Sequence, residues 1–351
     1  MKPRTIEIAG RKLGKGQPVY IVAEMSANHN QDYKAAVEIL KAAQKAGADA
    51  VKLQTYTADT LTIPCKNKYF QIKDGPWAGR TLYELYQEAC TPWEWQPKLK
   101  KIADRLGIAL FSTPFDETAV DFLEEMNVPC YKIASFELVD IPLIQKAAAT
   151  GKPLIMSTGM ATLSEIKEAV NAAREAGSGR IVLLKCNSAY PAPPEEMNLA
   201  TIPHMAETFD VPVGLSDHTL GIAVPVAAAC LGAVMIEKHF TLSRKKKGPD
   251  SFFSIEPGEL KEMAQAVRTV EKAVGKVSYS IGGKQESSRI FRRSLFVVKD
   301  VKKGDKLTHE NVRSIRPGHG LPPKHLEEIV GKHARCDLSS GTPLSWDHIE
   351  E

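Results

Sequence analysis

Apolar, β-branched runs alternate along the chain with stretches of helical periodicity. Eight runs read as strands: 20–26, 50–56, 109–114, 131–136, 154–158, 181–188, 211–217 and 234–240. Most are almost uniformly apolar in their first half, as parallel strands buried on both faces are. Amphipathic stretches that stop at glycine lie between them. Asp32 can cap a helix running to Lys45, with Ala36, Ile39, Leu40 and Ala43 on one face and Gly47 as its stop. Thr162 and Glu165 have capping-box spacing. Eight strand–helix units in about 275 residues predict an α/β fold, a TIM (β/α)8 barrel. One connection is longer than the rest. The insert 57–92 carries Tyr69, Phe70, Trp77 and Tyr83, and long loops above barrel strands shape sites.

The texture changes after Gly275. Segment 278–288 is polar and contains Gly282-Gly283; beyond Phe291 the chain reads as short strands and turns. The pattern predicts a barrel domain over 1–277, a linker over 278–290 and a small β-rich domain over 291–351. About sixty residues is marginal for independent folding.

Composition narrows the function. The 351 residues hold 46 Lys+Arg against 42 Asp+Glu, a formal charge of +4. That is too mild for a nucleic-acid binder. The run Arg244-Lys245-Lys246-Lys247 reads as a solvated loop. No apolar run is long enough to span a membrane, and the opening Met1-Lys2-Pro3-Arg4 does not lead into a secretory signal, so the expected compartment is the cytoplasm. Six cysteines lie far apart without a Cys-x-x-Cys, which argues against a disulfide framework and a zinc knuckle. Cys130, Cys186 and Cys230 sit in apolar segments and are expected to be inert core thiols.

TIM-barrel chemistry sits at the C-terminal ends of the strands, and polar residues collect there. Lys52 and Gln54 are two apart and share a face. Lys52 and Lys132 each interrupt an otherwise apolar strand. A buried ammonium needs an anion, and two of them with strand-end hydroxyls suit a phosphate and a carboxylate. Lys132 and Glu137 have opposite parity, so a regular strand cannot aim both inward. His218 and His239 end adjacent strands and can bracket one divalent cation, with oxygen ligands completing an Mn²⁺-like site. His29 at the strand-one turn reads equally as a backbone partner or a functional group. Asp250, in Gly248-Pro249-Asp250, reads alone as a turn aspartate.

Taken in order, these segments resemble the sialic acid synthase family. The matching pieces are Ala23-Glu24 with Asn28-His29-Asn30, Val51-Lys52-Leu53-Gln54, Ser112-Thr113-Pro114-Phe115, Lys132-Ile133-Ala134-Ser135 with Glu137, and Ser157-Thr158-Gly159-Met160. Tyr190-Pro191, Gly214-Leu215-Ser216-Asp217-His218-Thr219 and Glu237-Lys238-His239-Phe240 continue the series. The tail, with Arg316-Pro317-Gly318, Gly320 and Pro322-Pro323, resembles that family's antifreeze-like (SAF) domain. Met25-Ser26-Ala27, Ser188-Ala189-Tyr190, Gly248-Pro249-Asp250 with Phe253-Ser254, and the stretch from Phe70-Gln71-Ile72-Lys73 through Trp93-Glu94-Trp95 are most similar to the branch that makes pseudaminic acid. Asn187 stands where threonine is commoner and Gln31 where glycine is commoner; neither change removes a charged group.

The resemblance implies condensation of phosphoenolpyruvate with an N-acetylated amino-sugar aldehyde and water, giving a nine-carbon 2-keto acid and phosphate. For this branch the acceptor is 2,4-diacetamido-2,4,6-trideoxy-β-L-altropyranose. It further implies a metal on His218 and His239, Mn²⁺ first, with Mg²⁺ or Co²⁺ as alternatives. Lys52, Lys132, Ser135, Ser157, Ser188 and Ser216 would hold the anion, and Tyr190 would line its pocket. Glu137 would move protons, Glu24 and Gln54 would hold the sugar, and Asp250 would steady the acceptor or metal waters. Arg316 would reach a neighbouring subunit's site in a homodimer with swapped SAF domains. The alternatives are an N-acetylneuraminate or legionaminate synthase, which would share these catalytic residues, and a non-catalytic sugar- or ice-binding protein.

Overall fold

The computed structural model describes residues 5–350. The chain parts after Gly275 into two compact units. In the first, eight parallel strands close into a barrel: β3 (Tyr20–Glu24), β4 (Ala50–Thr55), β5 (Ala109–Pro114), β6 (Tyr131–Ile133), β7 (Leu154–Ser157), β8 (Ile181–Cys186), β9 (Val213–Asp217) and β10 (Met235–His239). Closure comes from β10 pairing with β3, His239 opposite Glu24. All eight anticipated strands exist, and most end earlier than the apolar pattern suggested, because the polar residues at their ends belong to loops.

A short antiparallel hairpin, β1 (Ile6–Ile8) and β2 (Arg11–Leu13), precedes the barrel. Ile6, Ile8 and Leu13 are buried in one core cluster with Tyr20, Ile181 and Val211, close to the strand starts. The hairpin therefore covers the N-terminal end and leaves the opposite end for chemistry. Outside the barrel, Asp32 caps helix Tyr33–Ala46 by accepting from Lys34 N, and Gly47 ends it at φ 95°. Such a cap stabilises a helix by about 1 kcal/mol. The Thr162–Glu165 capping box forms as well.

Two local expectations need correction. The fourth strand stops at Ile133, and Phe136–Val139 turns as a 3₁₀ helix, with Ser135 already at φ −63°, ψ −34°. Cys230 is exposed at the end of helix Ala223–Cys230, whereas Cys130 and Cys186 are buried. That helix is apolar all round, so its apolar pattern does not mark which side faces the core.

The insert 57–92 folds as helix Ala58–Leu61, a bridge between Gln71 and Thr81, and helix Leu82–Ala89. In the second unit β11 (Ser294–Val297) pairs antiparallel with β12 (Val312–Ile315). Its own core gathers Leu295, Val312, Ile329 and Leu344. Among the described residues no helix is long and apolar enough to cross a membrane.

Candidate active site

Alternation along the strands sends Glu24, Lys52, Gln54, Lys132, Ser157, Ser216, Glu237 and His239 into the barrel's C-terminal mouth. Four charged groups form its floor. Lys52 pairs with Glu24 at 2.8 Å and with Glu237 at 3.6 Å. It also donates to Thr113 Oγ1 at 3.2 Å. Lys132 pairs with Glu237 at 3.0 Å, and Ser216 Oγ donates to the same carboxylate at 3.2 Å. All four charged side chains are nearly sealed from water. Burial penalises each charge and neighbours decide the outcome. For Lys52 burial pulls the pKa down, but Glu237 and Glu24 outweigh it and the net shift is upward. Lys132 has less carboxylate support, and burial leaves it lowered. Glu24 is pushed up to about 7 by burial, against Lys52.

Hydroxyls gather beside the lysines. Ser157 Oγ is buried with no hydrogen-bond partner. Ser135 and Ser188 converge over Gly159, where a Cβ would lie 2.6 Å from Ser135 Oγ and 2.8 Å from Ser188 Oγ. Only glycine permits that approach, and φ is +38° there. An unpartnered hydroxyl, two crowded ones and two buried ammoniums make a site suited to a small polyanion.

The two histidine rings lie 5.2 Å apart, centroid to centroid. His218 Nδ1 lies 2.7 Å from the Asn187 carbonyl; donation there leaves Nε2 free as a ligand. His239 Nδ1 is buried without a hydrogen-bond partner, 3.9 Å from Asp250 Oδ2. Burial, foremost, holds His239 well below the usual pKa. It therefore offers a neutral imidazole at pH 7. Among the described residues no three His, Cys, Asp or Glu side chains form a metal cage. Two imidazoles with exchangeable oxygen ligands fit an open divalent-cation site. Cys186 Sγ lies 3.9 Å from His218 Nδ1. Burial raises this thiol and His218 lowers it, to about 7; Cys186 is nonetheless sealed from water, a core thiol as expected.

Beside the charged cluster, reached through Gln54, opens a cavity of 420 Å³. Gln54, Glu137, Tyr190, His239 and Asp250 give its lining polar groups, and Leu61, Ile72, Trp77, Leu82 and Leu85 from the insert line it too. Gln54 donates to Glu24 at 3.2 Å and to Ser26 Oγ at 3.0 Å; Ser26 donates to Asp250 at 2.5 Å. Asp250 is thus fixed inside the site rather than serving as a turn aspartate. Tyr190 packs against His218 at 4.3 Å, Phe253 at 5.2 Å and Trp77 at 5.8 Å. The 3₁₀ turn after β6 aims Glu137 into the cavity and so removes its parity conflict with Lys132. One oxygen of Glu137 is buried and unpartnered, and burial raises its pKa to about 7.

The first unit thus brings together every expected site residue except Arg316, an exposed residue of the second unit. His29 is engaged structurally: it is buried, 3.1 Å from Thr91 Oγ1, and accepts from Gln31 N at 3.1 Å. Glu237 is the residue that sequence reading passed over. It shares parity with His239, and that spacing alone places it inside the barrel.

Residues 39–279 match the model of the NeuB family, and residues 292–350 match the SAF domain. The chain is 48% identical over 335 residues to pseudaminic acid synthase of Helicobacter pylori, covering 95% of this chain and 98% of that protein. It is 38% identical to N,N'-diacetyllegionaminic acid synthase of Legionella pneumophila over 342 residues, 96% of either chain. Among solved structures, N-acetylneuraminic acid synthetase from Leptospira borgpetersenii superposes with a TM-score of 0.73 at 31% identity, over 82% of this chain and 95% of that one. Fold, motif order and sequence identity agree: the chain belongs to the NeuB family and carries a SAF domain.

Proposed function

We propose that this enzyme condenses phosphoenolpyruvate with 2,4-diacetamido-2,4,6-trideoxy-β-L-altropyranose and water to give pseudaminic acid and phosphate. The observation that carries the reading is the pair of buried ammoniums, Lys52 and Lys132, at the C-terminal mouth of the barrel. C3 of phosphoenolpyruvate forms a bond to the aldehyde carbon of the opened sugar, whose oxygen takes up a proton. Water adds to C2 and gives up a proton. The bond between C2 and the bridging oxygen then breaks; phosphate leaves with the electron pair, and the C2 hydroxyl passes its proton to the departing phosphate as the 2-keto group forms.

Lys52, Lys132, Ser135, Ser157, Ser188 and Ser216 hold the phosphate and carboxylate by charge-assisted hydrogen bonds. Tyr190 closes the side of that pocket. Glu24, Gln54 and Asp250 hold the acceptor's polar groups. A divalent cation on His218 and His239, Mn²⁺ with Mg²⁺ or Co²⁺ as alternatives, supplies Lewis-acid polarisation of the aldehyde oxygen when bound.

Glu137 accepts the proton of the attacking water. With a pKa of about 7 it is ionised above neutrality and protonated below. Turnover therefore falls about tenfold per pH unit below 7 and levels off above it. Glu137→Gln removes that acid limb, lowers kcat by about 10²–10⁴ and spares phosphoenolpyruvate binding. An acid limb unchanged in the variant would assign the proton elsewhere.

The insert's aliphatic side chains support the 6-deoxy acceptor. Leu61, Ile72, Leu82 and Leu85 line the cavity beside Tyr56 and Tyr86; a hydroxyl set against the four aliphatic side chains would be unpaired, and an unpaired buried hydroxyl costs about 1–3 kcal/mol. The proposal includes a cytoplasmic homodimer with swapped SAF domains, in which Arg316 contacts the acceptor held by the other subunit. The substrate reading is tested by phosphate release from phosphoenolpyruvate with a panel of acceptors. The diacetamido sugar should exceed N-acetylmannosamine at least about tenfold in kcat/KM. A preference for N-acetylmannosamine or for the legionaminate precursor moves the enzyme to the sister specificity. No release with any acceptor returns the sugar-binding reading. Refolding His218→Ala together with Arg316→Ala should restore partial activity, because a swapped mixed dimer has one intact site. A verified mixed dimer without activity excludes the swap.

A further inference from the structure

Lys238 lies between Glu237 and His239 in β10 and points the opposite way, out of the barrel. It stands directly across from Asp217 on β9. The register below them, on the same outer face, pairs Ile236 with Leu215, both fully buried and apolar. An ion pair is not needed there for packing: apolar side chains of similar volume commonly stabilise a core as well or better. Yet Lys238 and Asp217 form one, at 2.5 Å, with side chains 2% and 0% exposed.

The contacts show what the pair holds. Ladder pairing between β9 and β10 ends at Asp217 and Lys238, so His218 lies just beyond it. Lys238 Nζ donates to Asp217 Oδ2 and, at 2.6 Å, to the Thr219 carbonyl. Thr219 N donates to Asp217 Oδ1 at 3.0 Å. One ammonium therefore ties the residues on both sides of His218 to the strand that carries His239. On the other flank, Ala192 N donates to the His218 carbonyl at 3.0 Å.

We propose that Lys238 and Asp217 are positioning residues that set the spacing and aim of His218 and His239 for a divalent cation. The inference rests on the reading that those two histidines bind the metal. Removing groups that orient metal ligands typically weakens the metal by about 10–100-fold.

The test uses the full chain, freed of metal and titrated with Mn²⁺ by calorimetry, with melting temperature measured alongside. Single neutralisation would leave a buried charge without its partner, so the main variant is Asp217→Asn with Lys238→Met. Asparagine can still accept from Thr219 N, and only the tie to the Thr219 carbonyl and the cross-strand charge pair are lost. Its Mn²⁺ dissociation constant should rise about 10–100-fold while the melting transition stays cooperative. Asp217→Glu keeps the charge but displaces the ammonium, and should weaken Mn²⁺ at the lower end of that range, about tenfold. This second variant decides the matter should the double variant not fold. Wild-type Mn²⁺ affinity in either folded variant overturns the proposal. If the wild type takes up no Mn²⁺, or His218→Ala binds it as tightly, the two-histidine reading itself falls and the proposal falls with it.

Discussion

His218→Ala and His239→Ala each abolish phosphate release, a chelator does the same to the wild type, and Mn²⁺ restores only the wild type. The expectation follows from the chemistry demanded. The carbon of an enol phosphate is a weak nucleophile, so the aldehyde must be strongly polarised. A bound cation contributes several kcal/mol to that, and each 1.36 kcal/mol is tenfold in rate. Losing about 4 kcal/mol is roughly a 10³-fold loss. The two rings, 5.2 Å apart, are the protein's imidazole donors at the mouth, so neither variant can keep the cation by itself. Phosphoenolpyruvate binding should survive both changes, because the lysines that hold it lie on β4 and β6. The measurement is phosphate release beside calorimetric binding of phosphoenolpyruvate. Full activity in metal-free buffer would refute the metal's role.

The barrel was legible because both-face burial writes itself as apolar runs, and because polar residues at a strand end stand out against them. Lys52 and Lys132 were conspicuous for the same reason. Glu237 was not, since it shares the run Glu237-Lys238-His239 with a histidine and a lysine, and composition does not say which of the three turns outward. Parity does: fixing His239 inside puts Glu237 inside and Lys238 outside. Glu137 was the opposite case. Its parity looks wrong only if the strand runs unbroken past Ile133, and Ala134-Ser135-Phe136 carries no glycine or proline to mark the turn into a 3₁₀ helix. The β1–β2 hairpin was missed because three-residue strands carry only one alternation each. Asp250 became legible only in three dimensions, where Ser26 from the far end of the chain donates to it.

Lys132→Met should weaken phosphoenolpyruvate by roughly 10–100-fold, the loss of a hydrogen bond to a charged group worth about 1.5–3 kcal/mol. That result alone would be ambiguous. Lys132 is also the nearer cation for Glu237, at 3.0 Å against 3.6 Å for Lys52. Stranding a buried carboxylate costs about 3–5 kcal/mol of stability, so weaker binding could report a damaged fold. The double change Lys132→Met with Glu237→Gln separates the two roles. Removing both charges replaces a broken ion pair by neutral side chains, and stability should return to within about 1–2 kcal/mol of wild type. Binding should not return, because the incoming phosphate or carboxylate has still lost an ammonium. The comparison therefore needs two measurements on two proteins: thermal unfolding and phosphoenolpyruvate calorimetry on the single and double variants. Recovery of stability without recovery of affinity places Lys132 on the substrate. Recovery of both would make Lys132 no more than the counter-ion of Glu237, and the anion site would have to be sought around Lys52 alone.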